Sequence, residues 1–114
     1  MDTLELDNQV NALIVAGKND EAFVKFYDAN VVKQENDEPE LRGRDEWMRA
    51  REAWARNMER YEPRLLANAA NGDVSFSEWE LGVQMKGMGP TRQAQAVVRH
   101  WRNGRVVRER WYHK

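Results

Sequence analysis

The chain has 114 residues, a formal net charge of -1 and no cysteine. This length provides one ordinary domain, and the lack of cysteine excludes disulfide bonds, thiol nucleophiles and cysteine-ligated zinc. The N-terminal stretch is acidic where a signal peptide is basic, and no apolar run approaches the ~20 residues that span a bilayer. We therefore expect a single domain over residues 1–114, in a cytoplasmic protein with no membrane segment.

Charge is distributed unevenly along the chain. Residues 1–40 contain ten acids and three bases, whereas residues 86–114 contain eight bases and one acid. A face that binds nucleic acid would produce such a pattern, but the chain as a whole is not basic. We therefore favour contacts between basic C-terminal strands and acidic N-terminal elements, and nucleic acid is the least favoured partner.

Two helices are predicted at the N-terminal end. In the first, which ends at Gly17, apolar residues recur at helical spacing. These residues are Leu6, Val10, Leu13 and Ile14. The second is a short helix over "NDEAFVKFYD", residues 19–28, and its first turn carries acids that favour a helix N-terminus.

A short strand over residues 30–35 is predicted after the second helix. It ends in the acidic segment "QENDEPE", in which four acids occur within six residues. Pro39 and Gly43 indicate a turn, and the alternating oxygen ligands of a calcium loop are missing. The segment is therefore either a surface turn or a turn that holds a carboxylate at the mouth of a pocket.

The third predicted helix covers residues 44–61. Its apolar residues follow 3-and-4 spacing, and arginines and glutamates occupy its other faces. The apolar stripe comprises Trp47, Ala50, Trp54, Met58 and Tyr61. A cofactor site would also use aromatic residues at this spacing, but such a stripe is more often part of a core. We therefore interpret it as the face that covers a sheet.

Four strands joined by hairpin turns are predicted after Pro63, because β-branched and aromatic residues alternate there with polar ones. The predicted strands cover residues 64–70, 74–86, 92–101 and 106–114. In the second of them Trp79 and Leu81 alternate with Glu78 and Glu80, and we expect the tryptophan face to point inward.

The last strand and its hairpin present two further choices. Glu109, Trp111 and His113 alternate with Arg108, Arg110 and Tyr112, and we assign the first set to the pocket. A two-residue loop at Asn103-Gly104 would put four residues on one face, namely Arg99, Trp101, Val106 and Arg108. A glycine bulge would shift the register and change the neighbours of His100, and both registers remain open.

Signatures of cofactor or metal sites are missing. The glycines of "KGMGPTR" lack the following helix and the third glycine of a phosphate-binding loop, so they indicate a hairpin turn. His100 and His113 fall on adjacent strands but without a metal-binding spacing motif, and we favour packed or exposed strand residues. We therefore expect neither a cofactor nor a metal.

The stretches "FYDANVVKQENDEP", "NGDVSFSEWEL" and "AVVRHWRNGRVVRERWYHK" resemble the SnoaL-like branch of the nuclear transport factor 2-like superfamily, which includes ketosteroid isomerase and polyketide cyclases. The resemblance covers nearly the whole chain and is more specific for the fold than for the reaction. It implies an α+β fold in which three N-terminal helices cover a cone-shaped, curved antiparallel sheet. It also implies an apolar pocket inside the cone and a homodimer formed through the sheet.

The same resemblance implies a position for a catalytic carboxylate. It places Glu35 where the isomerases carry their base, at the end of the short strand and facing into the cone. A carboxylate partly removed from water exchanges a proton more readily near neutral pH. In this interpretation Asp37, Glu38 and Glu40 form the solvated turn. The alternative is a structural ion pair between Glu35 and an arginine of the sheet.

Other parts of the isomerase pattern are missing. The first helix has no tyrosine near Val10, and the acid of the penultimate strand is replaced by Arg99, beside His100. Steroid isomerisation is therefore not expected, and Arg99 or His100 is the candidate donor to an oxyanion. The remaining pocket residues are expected to be Tyr27, Trp47, Trp54, Trp79, Glu109, Trp111 and His113.

These expectations favour a small-molecule enzyme, with an isomerase, cyclase or dehydratase type of reaction on a small apolar carbonyl compound. The alternative is a non-catalytic ligand-binding or dimerisation module of the same fold. A protein that binds single-stranded nucleic acid is the third class, and it would require arginines and aromatic residues exposed together on the outer face of the sheet.

Overall fold

The computed structural model describes residues 2–114. Its helices are α1 (Thr3–Val15), α2 (Asn19–Phe26) and α3 (Arg44–Ala55). Its strands are β1 (Tyr27–Glu35), β2 (Leu41–Arg42), β3 (Met58–Asn71), β4 (Val74–Met85), β5 (Thr91–Arg102) and β6 (Arg105–Tyr112). None of the helices in this range is long and apolar enough to cross a membrane.

The strands form one curved, unclosed sheet in the order β2-β1-β6-β5-β4-β3. Strands β3 to β6 form an antiparallel meander, as alternation and turn residues predict. The expectation of a wholly antiparallel sheet is wrong in one respect, because β1 runs parallel to β6. These two strands are connected through α3 and the whole meander, so no hairpin turn forces them to be antiparallel. The α+β architecture with three helices covering a curved sheet is confirmed.

Two adjoining predicted boundaries are also corrected, namely the end of the third helix and the start of the strand that follows it. Helix α3 ends at Ala55, so Met58 and Tyr61 belong to β3 and not to the helical stripe. Both residues pair along β4, Met58 with Met85 and Tyr61 with Val83. The spacing of three between them fits a helix, but the backbone hydrogen bonds available along β4 favour the strand.

Helix α1 packs against β3 and β4, and α3 packs against β1 and β2. The buried residues of α1 are Asp7, Val10, Asn11 and Ile14. Leu6 and Leu13, which the apolar spacing assigned to the buried face, are only partly buried. Two polar residues therefore occupy the face of α1 that meets the sheet, and their partners lie on the inner side of the sheet.

The hairpin between β5 and β6 combines a two-residue loop with a later β-bulge. Asn103 and Gly104 have φ values of 53° and 74°, the positive values that this tight turn requires. Trp101 pairs with Val106 but His100 pairs with Arg108, so Val107 is the extra residue. The observed register therefore agrees with the two-residue loop next to the turn, but the bulge at Val107 changes the pairing beyond it.

This bulge determines which residues of β6 face the helices. Beyond it Arg99 pairs with Glu109, and Val97 pairs with Trp111. Arg99 and Glu109 are both buried. The set assigned to the pocket on β6 is therefore the one that faces inward.

Candidate functional site

A cavity of about 460 Å³ lies between the helices and the inner face of the sheet. We call it the central cavity. Helices α2 and α3 contribute Phe23, Trp47 and Trp54 to its wall, and the sheet contributes Trp79 and Trp111. Its size lies within the range of small-molecule sites, and its wall combines aromatic rings with a smaller exposed area of polar groups, as in most such sites.

All of the predicted pocket residues line the central cavity, and so do two of the three predicted catalytic residues. The pocket residues are Tyr27, Trp47, Trp54, Trp79, Glu109, Trp111 and His113. The two catalytic candidates are Glu35 and Arg99.

His100 does not line the cavity. It is exposed and pairs with Arg108, while its neighbours Arg99 and Trp101 are buried on the inner side. Because successive side chains of a strand point to opposite faces, an inward Arg99 requires an outward His100. The alternation of side chains along β5 therefore places Arg99 on the cavity side, and His100 is not part of the candidate site.

Glu35 and His113 form a hydrogen-bonded pair on the wall of the cavity. Nε2 of His113 contacts Oε1 of Glu35. The side chain of His113 is 15% exposed and that of Glu35 is 46% exposed. Nδ1 of the same ring lies 2.7 Å from Nε2 of Gln93 and 2.7 Å from the carbonyl oxygen of Lys114. The expected structural alternative was an ion pair between Glu35 and an arginine of the sheet, but the partner is a histidine.

The surroundings of His113 favour its protonated form. Burial lowers the pKa of its imidazole, but the hydrogen bonds to the Lys114 carbonyl and the Glu35 carboxylate outweigh this effect and raise the pKa above its usual value. Both acceptors are satisfied at once when both ring nitrogens carry a proton, whereas the Gln93 amide nitrogen, a donor, favours an unprotonated Nδ1. The pair therefore joins Glu35 to a histidine whose pKa is raised.

A second polar group is the buried ion cluster, which we define as Asp7, Lys33, Arg99 and Glu109. Nζ of Lys33 donates to Oε1 of Glu109 at 2.9 Å. Nε of Arg99 donates to Oε2 of Glu109 at 2.8 Å, and its Nη1 donates to Oδ1 of Asp7 at 2.7 Å. With two cations and two anions, the buried ion cluster has no net charge.

Neutral polar groups complete the hydrogen bonding of this cluster. Nη1 of Arg99 also donates to Oδ1 of Asn11 at 2.7 Å, and the hydroxyl of Tyr27 donates to Oε2 of Glu109. Ser75 donates from its Oγ to Oδ1 of Asp7 at 2.8 Å. Buried charges are tolerated when they are paired and hydrogen-bonded in this way. Nε and Nη1 of Arg99 are thus engaged within the protein, although the residue lines the cavity.

The charges of the cluster shift the pKa values of its members. Burial alone would raise the pKa of Glu109, but Lys33, Arg99 and the Tyr27 hydroxyl lower it to about 2. Burial lowers the pKa of Lys33 to about 8, although Glu109 opposes the change. For Tyr27, burial is the main reason that the pKa lies well above its usual value. The carboxylate is therefore ionised and the phenol protonated at neutral pH.

Lys33 is the most unexpected member, since its side chain is only 1% exposed. Its Nζ lies 4.0 Å from the ring centre of Trp47, 4.4 Å from that of Phe23 and 4.5 Å from that of Tyr27. An ammonium over aromatic faces is stabilised by their electron density, more strongly where water is excluded. The aromatic wall of the cavity therefore also solvates a buried cation.

Four residues that line the cavity or belong to the buried ion cluster were not assigned to the site from the sequence: Asp7, Lys33, Arg51 and Tyr61. Alternation along β1 carried a signal for one of them, because Lys33 lies two residues from Glu35 and shares its face. Arg51 lies one helical turn from Trp47 on α3, which is a second signal. Asp7 shares its helix face with Asn11, which donates to it at 2.9 Å, but its charged partner Arg99 comes from β5 and leaves no local signal.

Within residues 2–114, no three histidine, aspartate or glutamate side chains cluster in a way that could hold a metal ion.

Comparison with solved structures shows the same fold in several bacterial proteins. A protein from Mesorhizobium loti that is described as a SnoaL-like polyketide cyclase has a TM-score of 0.85 and 19% sequence identity, over 98% of this chain and 99% of that chain. A protein from Pseudomonas putida that is described as a polyketide cyclase has a TM-score of 0.83 and 20% identity, over 100% of this chain and 92% of that chain. At these identities the likeness concerns the fold alone.

A third similar structure is a hypothetical protein from Catenulispora acidiphila with a ketosteroid isomerase-like fold, which was solved in complex with trimethylamine. Its TM-score is 0.80 and its identity 18%, over 97% of this chain and 86% of that chain. No curated protein matches the sequence. A family model described as a SnoaL-like domain matches residues 9–109, and the chain therefore belongs to the SnoaL-like family.

Proposed function

We propose that the protein is a cofactor-free acid-base enzyme that acts on a small, largely apolar carbonyl compound, in an isomerisation, cyclisation or dehydration. The observation that carries this proposal is the Glu35–His113 pair on the wall of an aromatic cavity. Polyketide cyclases are named among the structural relatives, and polyketides are rich in carbonyl groups, which agrees with this substrate class.

In the proposed reaction Glu35 removes a proton from a carbon next to the substrate carbonyl. His113 holds the carboxylate through Oε1, and Oε2 remains available to the substrate. The imidazolium stabilises the ionised base and can return a proton in a later step. A positioned acid-base pair of this kind contributes roughly 10²–10⁴-fold to a reaction rate.

The apolar part of the substrate would lie against the tryptophans. Trp47 and Trp111 stack edge to face with ring centres 5.1 Å apart, and Trp54 contacts Tyr61 in the same way at 6.0 Å. Aromatic contacts of this geometry hold side chains in defined positions. We assign these rings the role of shaping the cavity, whereas Arg99 positions Tyr27 and Glu109 through its hydrogen bonds.

A non-catalytic ligand-binding protein is the second candidate. It is favoured by the buried ion cluster, in which every charged side chain already has an oppositely charged partner in the protein. Such a cluster supports a cavity structurally without any proton transfer. The two candidates differ in what they require of Glu35.

The test is a ligand screen by thermal shift with small apolar ketones and aldehydes, followed by NMR of each hit in deuterated water. Exchange of the proton next to the carbonyl reports proton abstraction without knowledge of the product. We expect Glu35→Gln to keep ligand binding and to slow this exchange at least about 100-fold. Glu38→Gln, at an exposed position of the acidic turn, is the matched control and should exchange at the wild-type rate.

Equal exchange rates in wild type and Glu35→Gln would show that Glu35 is not the base. Hits that bind but are not exchanged by the wild-type protein would favour the ligand-binding protein.

A further inference from the structure

The cationic side chains that line the central cavity differ in whether they have an acidic partner. Lys33 and Arg99 pair with Glu109, and His113 pairs with Glu35. Arg51 also lines the cavity. Within residues 2–114 its guanidinium has neither a hydrogen bond nor an ion pair, and its close contact is with the ring of Phe23. The cavity therefore contains one positive charge that the protein does not neutralise by contact.

The position of Arg51 on α3 directs it to the cavity side of the helix. With 3.6 residues per turn, it lies about 40° from Trp47 and about 60° from Trp54 around the helix axis. Both tryptophans line the same cavity. The guanidinium carbon lies 5.8 Å from the ring centre of Phe23, another wall residue, and the side chain is partly buried. The charge is therefore placed where a ligand in the cavity would contact it.

A second unpaired donor comes from β3. Tyr61 lines the cavity, and within the described range its hydroxyl has no hydrogen-bond partner. Burial raises the pKa of Tyr61, with the charge of Arg51 acting in the opposite direction, so the hydroxyl stays protonated at neutral pH. Trp54, about one helical turn from Arg51 on α3, contacts Tyr61 edge to face with ring centres 6.0 Å apart, so Arg51 and Tyr61 flank the same part of the wall.

Arg51 also acts on Lys33, and the two cations repel each other. After burial and the opposing effects of Glu109, the charges of Arg99 and Arg51 further lower the pKa of Lys33. Repulsion between like charges in a partly dry cavity is unfavourable, and an anion placed between them relieves it. A negative group bound at Arg51 would therefore reduce this repulsion.

We propose that the natural ligand carries a carboxylate, which Arg51 binds through two N–H groups while the Tyr61 hydroxyl donates to one of its oxygens. Guanidinium and carboxylate match in shape and form two parallel hydrogen bonds. The apolar body of the ligand then extends along Trp54 towards Glu35. This inference rests on the proposed function in one respect, since it takes the central cavity as the ligand site, and it narrows the substrate to an apolar carbonyl compound with an acid group.

A second concavity competes with the central cavity for the side chain of Arg51. It also lines a second, shallower concavity with Asp20 and Glu21, at the start of α2. Neither acid is within ion-pair distance of Arg51 among the described residues. A guanidinium that turned towards them would contribute nothing to ligand binding, and the experiment below distinguishes this outcome.

The test compares two probes of the same shape, naphthalene-2-carboxylate and naphthalene-2-carboxamide, by isothermal titration calorimetry at 0.15 M salt. We expect the wild-type protein to bind the carboxylate at least about tenfold more tightly than the amide. Charge-assisted hydrogen bonds of an arginine correspond to a difference of about 10- to 100-fold. Arg51→Met should abolish this preference, and Tyr61→Phe should reduce it about threefold or more.

Binding of the amide serves as the folding control for both variants, because it should stay within about twofold of the wild-type value. Arg49→Met is the matched surface control, since Arg49 lies on the same helix but is exposed and paired with Glu46. It should leave both affinities unchanged.

Equal wild-type affinities for the two probes would overturn the proposal, and so would an Arg51→Met variant that keeps the preference. Binding of neither probe would also overturn it. None of these results depends on proton exchange, so the proposed role of Glu35 is judged separately by its own experiment.

Discussion

The buried ion cluster makes a strong prediction about stability, through the substitution Glu109→Gln. Glutamine keeps the shape of the side chain but removes its charge. Asp7 would then be the remaining anion of the cluster, and of the two cations it contacts Arg99 but not Lys33. Removing one partner from a buried ion pair leaves a charge without compensation, which is strongly destabilising.

The magnitude follows from the pKa of Glu109. Its value of about 2 lies about 2.5 pH units below the ordinary 4.5 of a glutamate. One pH unit corresponds to about 1.36 kcal/mol, so the fold favours the charged form by about 3 kcal/mol. This agrees with the roughly 3–5 kcal/mol typical of a broken buried ion pair. We expect Glu109→Gln to lower the free energy of unfolding at pH 7 by about this amount.

Urea denaturation at pH 7 measures the effect as a lower midpoint with an unchanged slope. The control is Glu78→Gln on the exposed face of β4, which should change stability by less than about 0.5 kcal/mol. The difference should also depend on pH. Because the folded pKa of Glu109 is lowered, its stabilisation is present above about pH 4.5 and is lost as the pH falls towards 2. A loss below about 1 kcal/mol at pH 7, or a difference that stays constant between pH 5 and pH 2, would refute this reasoning.

Two further predictions concern the candidate site and the assembly. NMR titration of the imidazole should give His113 a pKa above the ~6.5 of a free histidine, and Glu35→Gln should lower that value, because it removes the acceptor that favours the imidazolium; an unchanged pKa in the variant would contradict the pairing. We also expect a homodimer formed through the outer face of the sheet, where Phe76 and Tyr112 are 44% and 42% exposed. Sedimentation of the wild-type protein as a monomer at micromolar concentration would contradict this expectation.

Local patterns in the sequence predicted the parts of the fold that depend on local physics. Trp79 and Leu81 are buried, as alternation with two glutamates indicated. The Asn103-Gly104 turn was found because few residues accept positive φ. The end of α3 was wrong because the spacing of three between Met58 and Tyr61 fits a helix, and only pairing with β4, which includes a register shift after Met58, shows that they lie in a strand.

The polar part of the site was harder to predict, for a physical reason. A lysine or an aspartate is buried only if distant segments supply its partners, and no spacing within its own element shows this. Lys33 requires Glu109 from β6, and Asp7 requires Arg99 from β5. The pairing of Glu35 with His113 likewise joins residues 78 positions apart. The carboxylate itself was found through the family resemblance, whereas its histidine partner was assigned only to the pocket.

The bulge at Val107 has a consequence for how this protein can change over generations. If the codon for this residue were lost, the strand would pair without interruption and Glu109 would keep its place opposite Arg99. If Val107 were instead drawn into the regular ladder, Arg108 would move opposite Arg99, and two like charges would meet in the interior. The hairpin therefore tolerates the loss of a residue at this point but not its inclusion in the ladder. Lineages that are one residue shorter here are expected to keep the chemistry of the cavity.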